Sequence, residues 1–385
     1  TTAFDFDNVQ YAADLFDLKT AGDIYTRISN PTTQVLEERL AALEGGVGAL
    51  CVSSGQSASL IAVLNLAKSG DEVVASSTLY GGTFNLLGVT LEKLGIKTIF
   101  VESEDPDAYE KAINDRTKCI FTEMVGNPKL NITDIEPLAG VAHRHGIPLI
   151  VDNTVPSPYL CKPFDFGADI VVHSLTKYVS GHGNSMGGAI VDSGKFNWVK
   201  SGKFPDLVNP DPSYHGLSYT ETFKEAAFIV KARGQLLRDL GSCMSPFNAY
   251  LTLLGLETLH LRMQRVSDTA LKVAKYLQSH QKIAWVNYPG LEGGEYYELS
   301  KKYLPKGASS IIAFGVKGGR EAGIRFIEKV KLLIHATNIG DSRSIITYPC
   351  LTTHRQLNDE QLMACGISDD FMRLSVGLED YEDII

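Results

Sequence analysis

From Gly48 onward, short runs of continuous apolar and β-branched residues recur along the chain: ALCVSS, EVVASS, KTIFVES, KCIFTEM, PLIVDNT, DIVVHS and GGAIVD, alternating with helical stretches. A run that stays apolar without alternating suits a strand covered on both faces, so the pattern predicts an α/β fold built on a mainly parallel seven-stranded sheet. Ligands of such sheets bind beyond the carboxyl ends of the strands, and the residues just after each run are therefore the ones to inspect. Ahead of the first strand, Asn30, Pro31 and Thr32 provide helix-start chemistry, and Val35, Leu36, Leu40 and Leu43 form an apolar stripe stopped by Gly45 and Gly46. Residues 1–30 show no sustained period and read as an extended arm. Past Gly188, the loop-rich KFPDLVNPDPSYHGLSY leads into a long helical region from about Glu221 to Arg265. The remainder predicts a smaller C-terminal α/β unit, with strands IIAFGV and RLSVG and helices Thr269 to Gln278 and Gly319 to Val330. The expected division is an arm over 1–30, a large domain over 31–250 and a smaller one over 251–385, changing near Pro246 to Leu256.

Composition narrows the class of function. A chain of 385 residues, 44% hydrophobic and 21% charged, can bury two sizeable cores. Its formal charge of -9 argues against nucleic acid or an anionic membrane as partner, while leaving room for a local basic pocket. The cysteines, Cys51, Cys119, Cys161, Cys243, Cys350 and Cys365, are scattered without a CxxC and suit reduced thiols. With no apolar run long enough to span a bilayer and no leader pattern at the start, the expected location is cytoplasmic.

Candidate chemistry gathers at the strand ends. In IVVHSLTKYVSGHGNSMGG, Ile170 to Gly188, a single lysine follows the apolar run. Burial and nearby cations can hold Lys177 as a free amine able to attack a carbonyl, which is Schiff-base chemistry. Ser174 and Thr176 add hydroxyls suited to a phosphate. Two rival readings of this stretch lack support: the SxxK of serine enzymes has no following SDN or KTG, and His173 and His182 have no metal-ligand spacing. After the first strand, Gly55 and Gln56 open a helix whose unpaired N–H groups favour an anion. After the second, Tyr80 lies in a glycine-bounded turn where its ring could lie against another ring. Glu123 and Asn127 close the fourth run, and Asp152 ends the fifth, where a buried carboxylate needs a partner such as a protonated heterocyclic nitrogen. In the arm, Tyr25 and Arg27 are two apart, so an extended chain would present them together to an anion; a surface Arg–Tyr stack satisfies them equally. Arg373, opening RLSVG, offers a planar fork to a substrate carboxylate or to a structural ion pair. An amine, a flat tyrosine, a carboxylate and an anion cradle at successive strand ends describe the surroundings of pyridoxal 5'-phosphate. A nicotinamide cofactor is disfavoured because no GxGxxG follows the first strand.

The segments IYTRISNPT, LEGGVGALCVSSGQSA, LYGGTFNLL, NPKLNITDI, VDNTVPSPYLCKPFDFGADIVVHSLTKYVSGHG, NIGDSRSIITYPCLTTHRQL and RLSVGLED carry a resemblance that runs over essentially the whole chain. The chain resembles the Cys/Met-metabolism family of pyridoxal-phosphate enzymes, which are fold type I transferases, and within it the O-acetylhomoserine sulfhydrylase branch. The resemblance implies that Lys177 is the cofactor-bound lysine and proton shuttle, that Asp152 partners the pyridine nitrogen, and that Tyr80 stacks on the ring and can assist the leaving group. It further implies phosphate binding by Gly55, Gln56, Ser174 and Thr176, a cofactor-site role for Asn127, and substrate contacts by Arg373 and Asn338. Tyr25 and Arg27 would reach the site of a neighbouring subunit, Tyr25 touching substrate as well, which makes a dimer the minimum unit and a tetramer, a dimer of dimers, the usual assembly. Gly82 stands where methionine γ-lyases carry cysteine, and Asn338, Ile339, Gly340 where sister enzymes read SLG; both departures favour the sulfhydrylase branch. The implied reaction, in methionine biosynthesis, is γ-replacement: O-acetyl-L-homoserine and sulfide, or a thiol, give L-homocysteine, or L-methionine, and acetate. A γ-lyase, a cystathionine γ-synthase activity and a non-catalytic binding protein are the alternatives, and the ester and the sulfur donor, including a protein-bound one, stay open.

Overall fold

In the computed structural model, which describes residues 1–352, 355 and 367–385, all seven expected runs are strands of one sheet. They are β1 (Gly48–Val52), β2 (Glu72–Ser76), β3 (Lys97–Val101), β4 (Thr117–Glu123), β5 (Leu149–Asp152), β6 (Ile170–Ser174) and β7 (Gly188–Asp192), in the order β1-β7-β6-β5-β4-β2-β3. Strands β2 to β6 pair in parallel, and β7 runs antiparallel to both β1 and β6. The continuous apolar runs have a simple cause: successive residues of each strand feed opposite layers. Val74, Ile120, Val151 and Val171 pack with Leu36 and Leu40 of the helix Pro31–Glu44 on one face. Val73, Phe121, Ile150 and Val172 pack with Ala58 and Ile61 of the helix Gly55–Leu64 on the other. Each such side chain contributes on the order of 1.5–3 kcal/mol over leaving it in water, so polar chemistry is driven to the strand ends.

A second, five-stranded sheet has the order β10-β11-β12-β9-β8, formed by β8 (Ile283–Asn287), β9 (Ile311–Val316), β10 (Ile334–His335), β11 (Ile345–Thr347) and β12 (Phe371–Ser375). Its strands are antiparallel except for the short β10–β11 pair. The expected RLSVG strand begins earlier, at Phe371, and IIAFGV is β9 as read.

Several expectations are corrected. The arm is not extended throughout: Asn8 caps a helix, Val9–Phe16, by accepting from the Tyr11 N–H at 2.8 Å. In the helix Pro31–Glu44, Leu36 and Leu40 are buried, but Val35 and Leu43 face solvent and the inward face is completed by Thr33, Glu37 and Glu44. Glu37 is accommodated there because it accepts from Arg233 and from the Cys51 N–H. The region from Glu221 to Arg265 is broken into short helices followed by Pro246–Glu257 and Leu259–Ser279; the second of these absorbs the predicted Thr269 to Gln278 helix. The break comes at Gly241–Ser245, where Pro246 starts a new helix and cannot continue an old one. Cys365 and part of the quoted TTHRQL segment lie outside the described residues. Among the described residues, no helix is long and apolar enough to cross a membrane.

Candidate active site

Lys177 follows the end of β6, in a turn fixed by bonds from its N–H to the Ser174 carbonyl at 3.2 Å and from the Gly181 N–H to its own carbonyl at 2.8 Å. Its Nζ donates to Asn338 Oδ1 at 2.6 Å. Burial, and then the charge of Arg373, bring the amine from 10.5 down to about 8, so roughly a tenth of it is unprotonated at neutral pH. Lys177, Thr176, Ser185, Asn248, Thr337 and Asn338 border an open cavity of about 570 Å³.

Arg373 enters from the other sheet. It sits in β12 between Thr347 of β11 and Ala313 of β9, only 5% exposed. Its Nη1 donates to Asn127 Oδ1 at 2.9 Å, and Nη2 makes two long contacts of 3.5 Å to the carbonyls of Thr337 and Asn338. Its Nε is buried without a partner among the described residues. Desolvation lowers the guanidinium to about 10, which still leaves it charged at neutral pH. A buried cation with an unused donor is suited to a carboxylate.

Asp152 closes β5, where its carboxylate accepts the Thr154 N–H at 2.9 Å, and Thr154 Oγ1 in turn accepts the Ser174 N–H at 2.8 Å. Burial pushes the acid upward while Thr154 and the nearby His173 pull it back. No ion pair to Asp152 is formed among the described residues, so its carboxylate can take a protonated heterocyclic nitrogen.

The turn after β1 meets the Lys177 segment closely. Ser54 caps the helix Gly55–Leu64 by accepting the Ser57 N–H at 3.2 Å. A Cβ at Gly55 would stand 2.7 Å from Ser174 Cβ, and one at Gly188 only 2.0 Å from the Ser54 carbonyl oxygen, so both positions require glycine for this approach. Thr176 Oγ1 donates to the Gly187 carbonyl and accepts the Gly187 N–H, at 3.2 and 3.1 Å. Gln56 Nε2 donates to Thr83 Oγ1 at 3.1 Å, tying this turn to the one that carries Tyr80. The Tyr80 side chain is half exposed, and a Cβ at Gly82 would stand 2.6 Å from its ring.

Tyr25 and Arg27 are placed differently. Tyr25 opens a turn, its carbonyl accepting from Ile28 and Ser29, so the two-residue alternation of an extended chain does not apply. The Arg27 guanidinium lies 5.6 Å from the Tyr25 ring centre and donates to the Arg238 carbonyl. These contacts are remote from Lys177 in sequence and in bonding. His173 Nε2 meets Glu44 Oε1 at 2.6 Å with both side chains fully buried. Glu123, noted in the sequence beside Asn127 but given no role, proves central to the loops: Oε1 accepts the Tyr80 N–H at 2.6 Å and Oε2 the Asn127 N–H at 3.3 Å. The available signal was its place at a strand end, the same signal that marks Asp152.

A sequence model of the family described as Cys/Met metabolism PLP-dependent enzyme matches residues 1–385. The chain is 52% identical to an O-acetyl-L-homoserine sulfhydrylase of Leptospira meyeri, over all of this chain and 89% of that protein. It is 45% identical to a homocysteine/cysteine synthase of Saccharomyces cerevisiae, again over all of this chain and 89% of the relative. Among solved structures, a putative O-acetylhomoserine (thiol)-lyase from Campylobacter jejuni subsp. jejuni, with N'-pyridoxyl-lysine-5'-monophosphate, superposes with a TM-score of 0.97 at 43% identity, covering 100% of this chain and 92% of that one. An O-acetylhomoserine sulfhydrylase from Wolinella succinogenes gives 0.81 at 39% identity, covering 92% and 94%.

Proposed function

The chain belongs to the Cys/Met metabolism family of pyridoxal-phosphate-dependent enzymes, and from that premise we propose that it is an O-acetyl-L-homoserine sulfhydrylase acting in methionine biosynthesis. The Cγ–O bond of O-acetyl-L-homoserine breaks, acetate leaves, and a Cγ–S bond to sulfide forms to give L-homocysteine. One observation carries the reading: a lysine amine lowered to about 8 and a buried arginine whose Nε has no partner among the described residues meet around Asn338, whose side chain holds the first while its carbonyl lies against the second.

The residues fit the cofactor. Asp152 would hold the pyridine nitrogen, Tyr80 the ring face, and Gly55, Gln56, Ser174 and Thr176 the phosphate, with Asn127 beside the ring and Lys177 at the aldehyde. When bound, pyridoxal phosphate supplies an electron sink for bonds at the substrate α-carbon. Arg373 grips the substrate carboxylate, aided by Asn338. Lys177 Nζ takes the proton from Cα, and then handles the Cβ proton, because its lowered affinity lets it both accept and return protons near neutral pH. The Tyr80 hydroxyl, on a half-exposed turn, is suited to protonate the departing acetate.

Arg27 lies against the Tyr25 ring and donates to the Arg238 carbonyl, not to the Lys177 turn, and Tyr25 is exposed, which supports their serving a neighbouring subunit's site, Tyr25 at its substrate and both at its phosphate. Phe247, Tyr250 and Leu254, spaced along one face of the helix Pro246–Glu257 and from 47% to 66% exposed, support a homo-oligomer, a dimer at least and a tetramer when dimers pair. Division into an arm over 1–30, a large domain over 31–250 and a smaller one over 251–385 is supported by each sheet drawing its strands from one continuous part of the chain. Free thiols at Cys51, Cys119, Cys161, Cys243 and Cys350 support a cytoplasmic location.

The deciding assay supplies O-acetyl-L-homoserine with and without sulfide and follows homocysteine, acetate and ammonia. Homocysteine and acetate in equal amounts, dependent on sulfide, are expected. Ammonia and a 2-oxo acid released at the same rate without sulfide would replace this reading with a γ-lyase, and repeating the assay with methanethiol and with other homoserine esters fixes donor and ester.

A further inference from the structure

Two loops from different strands each carry half of the site. The turn after β2 bears Tyr80, and the loop after β4 bears Asn127, whose Oδ1 accepts from Arg373 Nη1 at 2.9 Å. Between them lies one carboxylate. Glu123, only 6% exposed, accepts the Tyr80 N–H at Oε1 and the Asn127 N–H at Oε2. Its own carbonyl is fixed by the Thr133 hydroxyl at 2.7 Å, so the residue is held from both sides.

The choice of side chain is informative because this position is an expensive one for a charge. Glu123 is the register partner of Asp152, so two carboxylates end adjacent strands side by side. Burial, and then the charge of Asp152, push the Glu123 acid upward. An apolar residue would remove that repulsion but leave both N–H groups, the Asn127 one buried, without this acceptor. Glutamine could accept only once, since its NH₂ would face the second N–H. A carboxylate accepts at both oxygens and brings no donor that needs a partner of its own.

We propose that Glu123 is a positioning residue that fixes the Tyr80 turn and the Asn127–Arg373 clamp relative to each other, so that the surface for the cofactor ring and the grip on the substrate carboxylate are set by one side chain. It touches neither substrate nor cofactor. The inference rests on the site assignment made above, but not on which reaction the site completes.

The test uses the full-length, cofactor-loaded protein with Glu123→Gln and Glu123→Ala. Visible circular dichroism of the bound cofactor reports the Tyr80 side. The Kd of L-norvaline, an amino acid with no leaving group, reports the Arg373 side. Both variants should weaken norvaline about tenfold, as expected for one misplaced charge-assisted bond, and also reduce the dichroism. Their unfolding temperatures should stay within a few degrees of the parent, because each relieves the repulsion with Asp152. Asn127→Ala, which removes the Arg373 acceptor directly, should weaken norvaline at least as much as Glu123→Gln does. The proposal is overturned if either Glu123 variant shifts only one signal or neither, or if Asn127→Ala leaves norvaline binding unchanged. Should the parent bind cofactor and norvaline yet form no homocysteine, the proposed reaction fails while this test still runs.

Discussion

Lys177 and Arg373 are two cations pressed into one site from two sheets, and burial treats them alike but leaves them different. Desolvation is the leading cause of the shift in each, taking the lysine to about 8 and the arginine to about 10. The amine thereby comes within reach of neutral pH, whereas the delocalised guanidinium remains a cation. Their supports differ to match. Lys177 stands on a turn beyond a parallel strand, with Nζ held by a single side-chain acceptor that it can leave. Arg373 is in the middle of an antiparallel sheet, paired through its backbone on both sides. The open end of the parallel sheet provides a group that moves protons, and the interior of the antiparallel sheet provides a charge that stays put.

The strongest test of that contrast removes the mobile partner alone. Lys177→Ala should lower kcat by at least about 10³-fold, the range for loss of a general base, while Arg373 continues to bind carboxylates. Steady-state turnover together with L-norvaline affinity separates the two effects. A variant retaining more than about a tenth of the parental kcat would remove Lys177 from the chemistry.

Much of this contrast was legible in the chain itself, for a physical reason. Strands buried on both faces must be continuously apolar, so each polar residue that ends a run, such as Asp152 or Ser174, stands out from it. The same logic pointed to Lys177. It failed where placement depends on partners distant in sequence. Arg373 could be read as a clamp or as an ion pair, because nothing in RLSVG announces Asn127, 246 residues away, as its acceptor. Glu123 was visible at a strand end, yet its bond to the Tyr80 N–H spans 43 residues and has no signature in either segment. Val35 and Leu43 share the apolar stripe of Leu36 and Leu40 yet are exposed, because helical spacing cannot tell a core from a surface that another subunit could cover. The arm misled in another way: Tyr25 begins a turn that the bare sequence does not announce, so alternation was the wrong geometry to apply.

The contrast should also appear in stability, without any cofactor. An unfolded Lys177 binds its proton up to about pH 10.5, but the folded one releases it near 8, so between those values the unfolded chain holds more protons and stability rises with pH. Below pH 8 the folded protein bears the full cost of the desolvated charge, at most about 3 kcal/mol. Lys177→Met removes that cost. In the cofactor-free protein at pH 7 this variant should be more stable than the parent by up to that amount in urea titrations, and the gap should close from pH 8 to 10.5. A gap independent of pH would mean that packing, not charge, sets the difference.

The smallest effect gives the sharpest comparison, because it places an amine where the guanidinium sits. Arg373→Lys keeps a positive charge at neutral pH but loses the planar fork, so KM for O-acetyl-L-homoserine should rise about tenfold while kcat changes less. The new amine would occupy the same desolvated position with Lys177 nearby, and both influences lower its proton affinity. Raising the pH from 7 to 9 should therefore strip its charge and weaken carboxylate binding further. Because Lys177 itself titrates near this range, the informative quantity is the ratio of variant to parental KM at each pH. A ratio that climbs with pH would show that Arg373 is an arginine so as to remain charged in a site built to discharge a lysine; a flat ratio would show that only the shape of the guanidinium matters there.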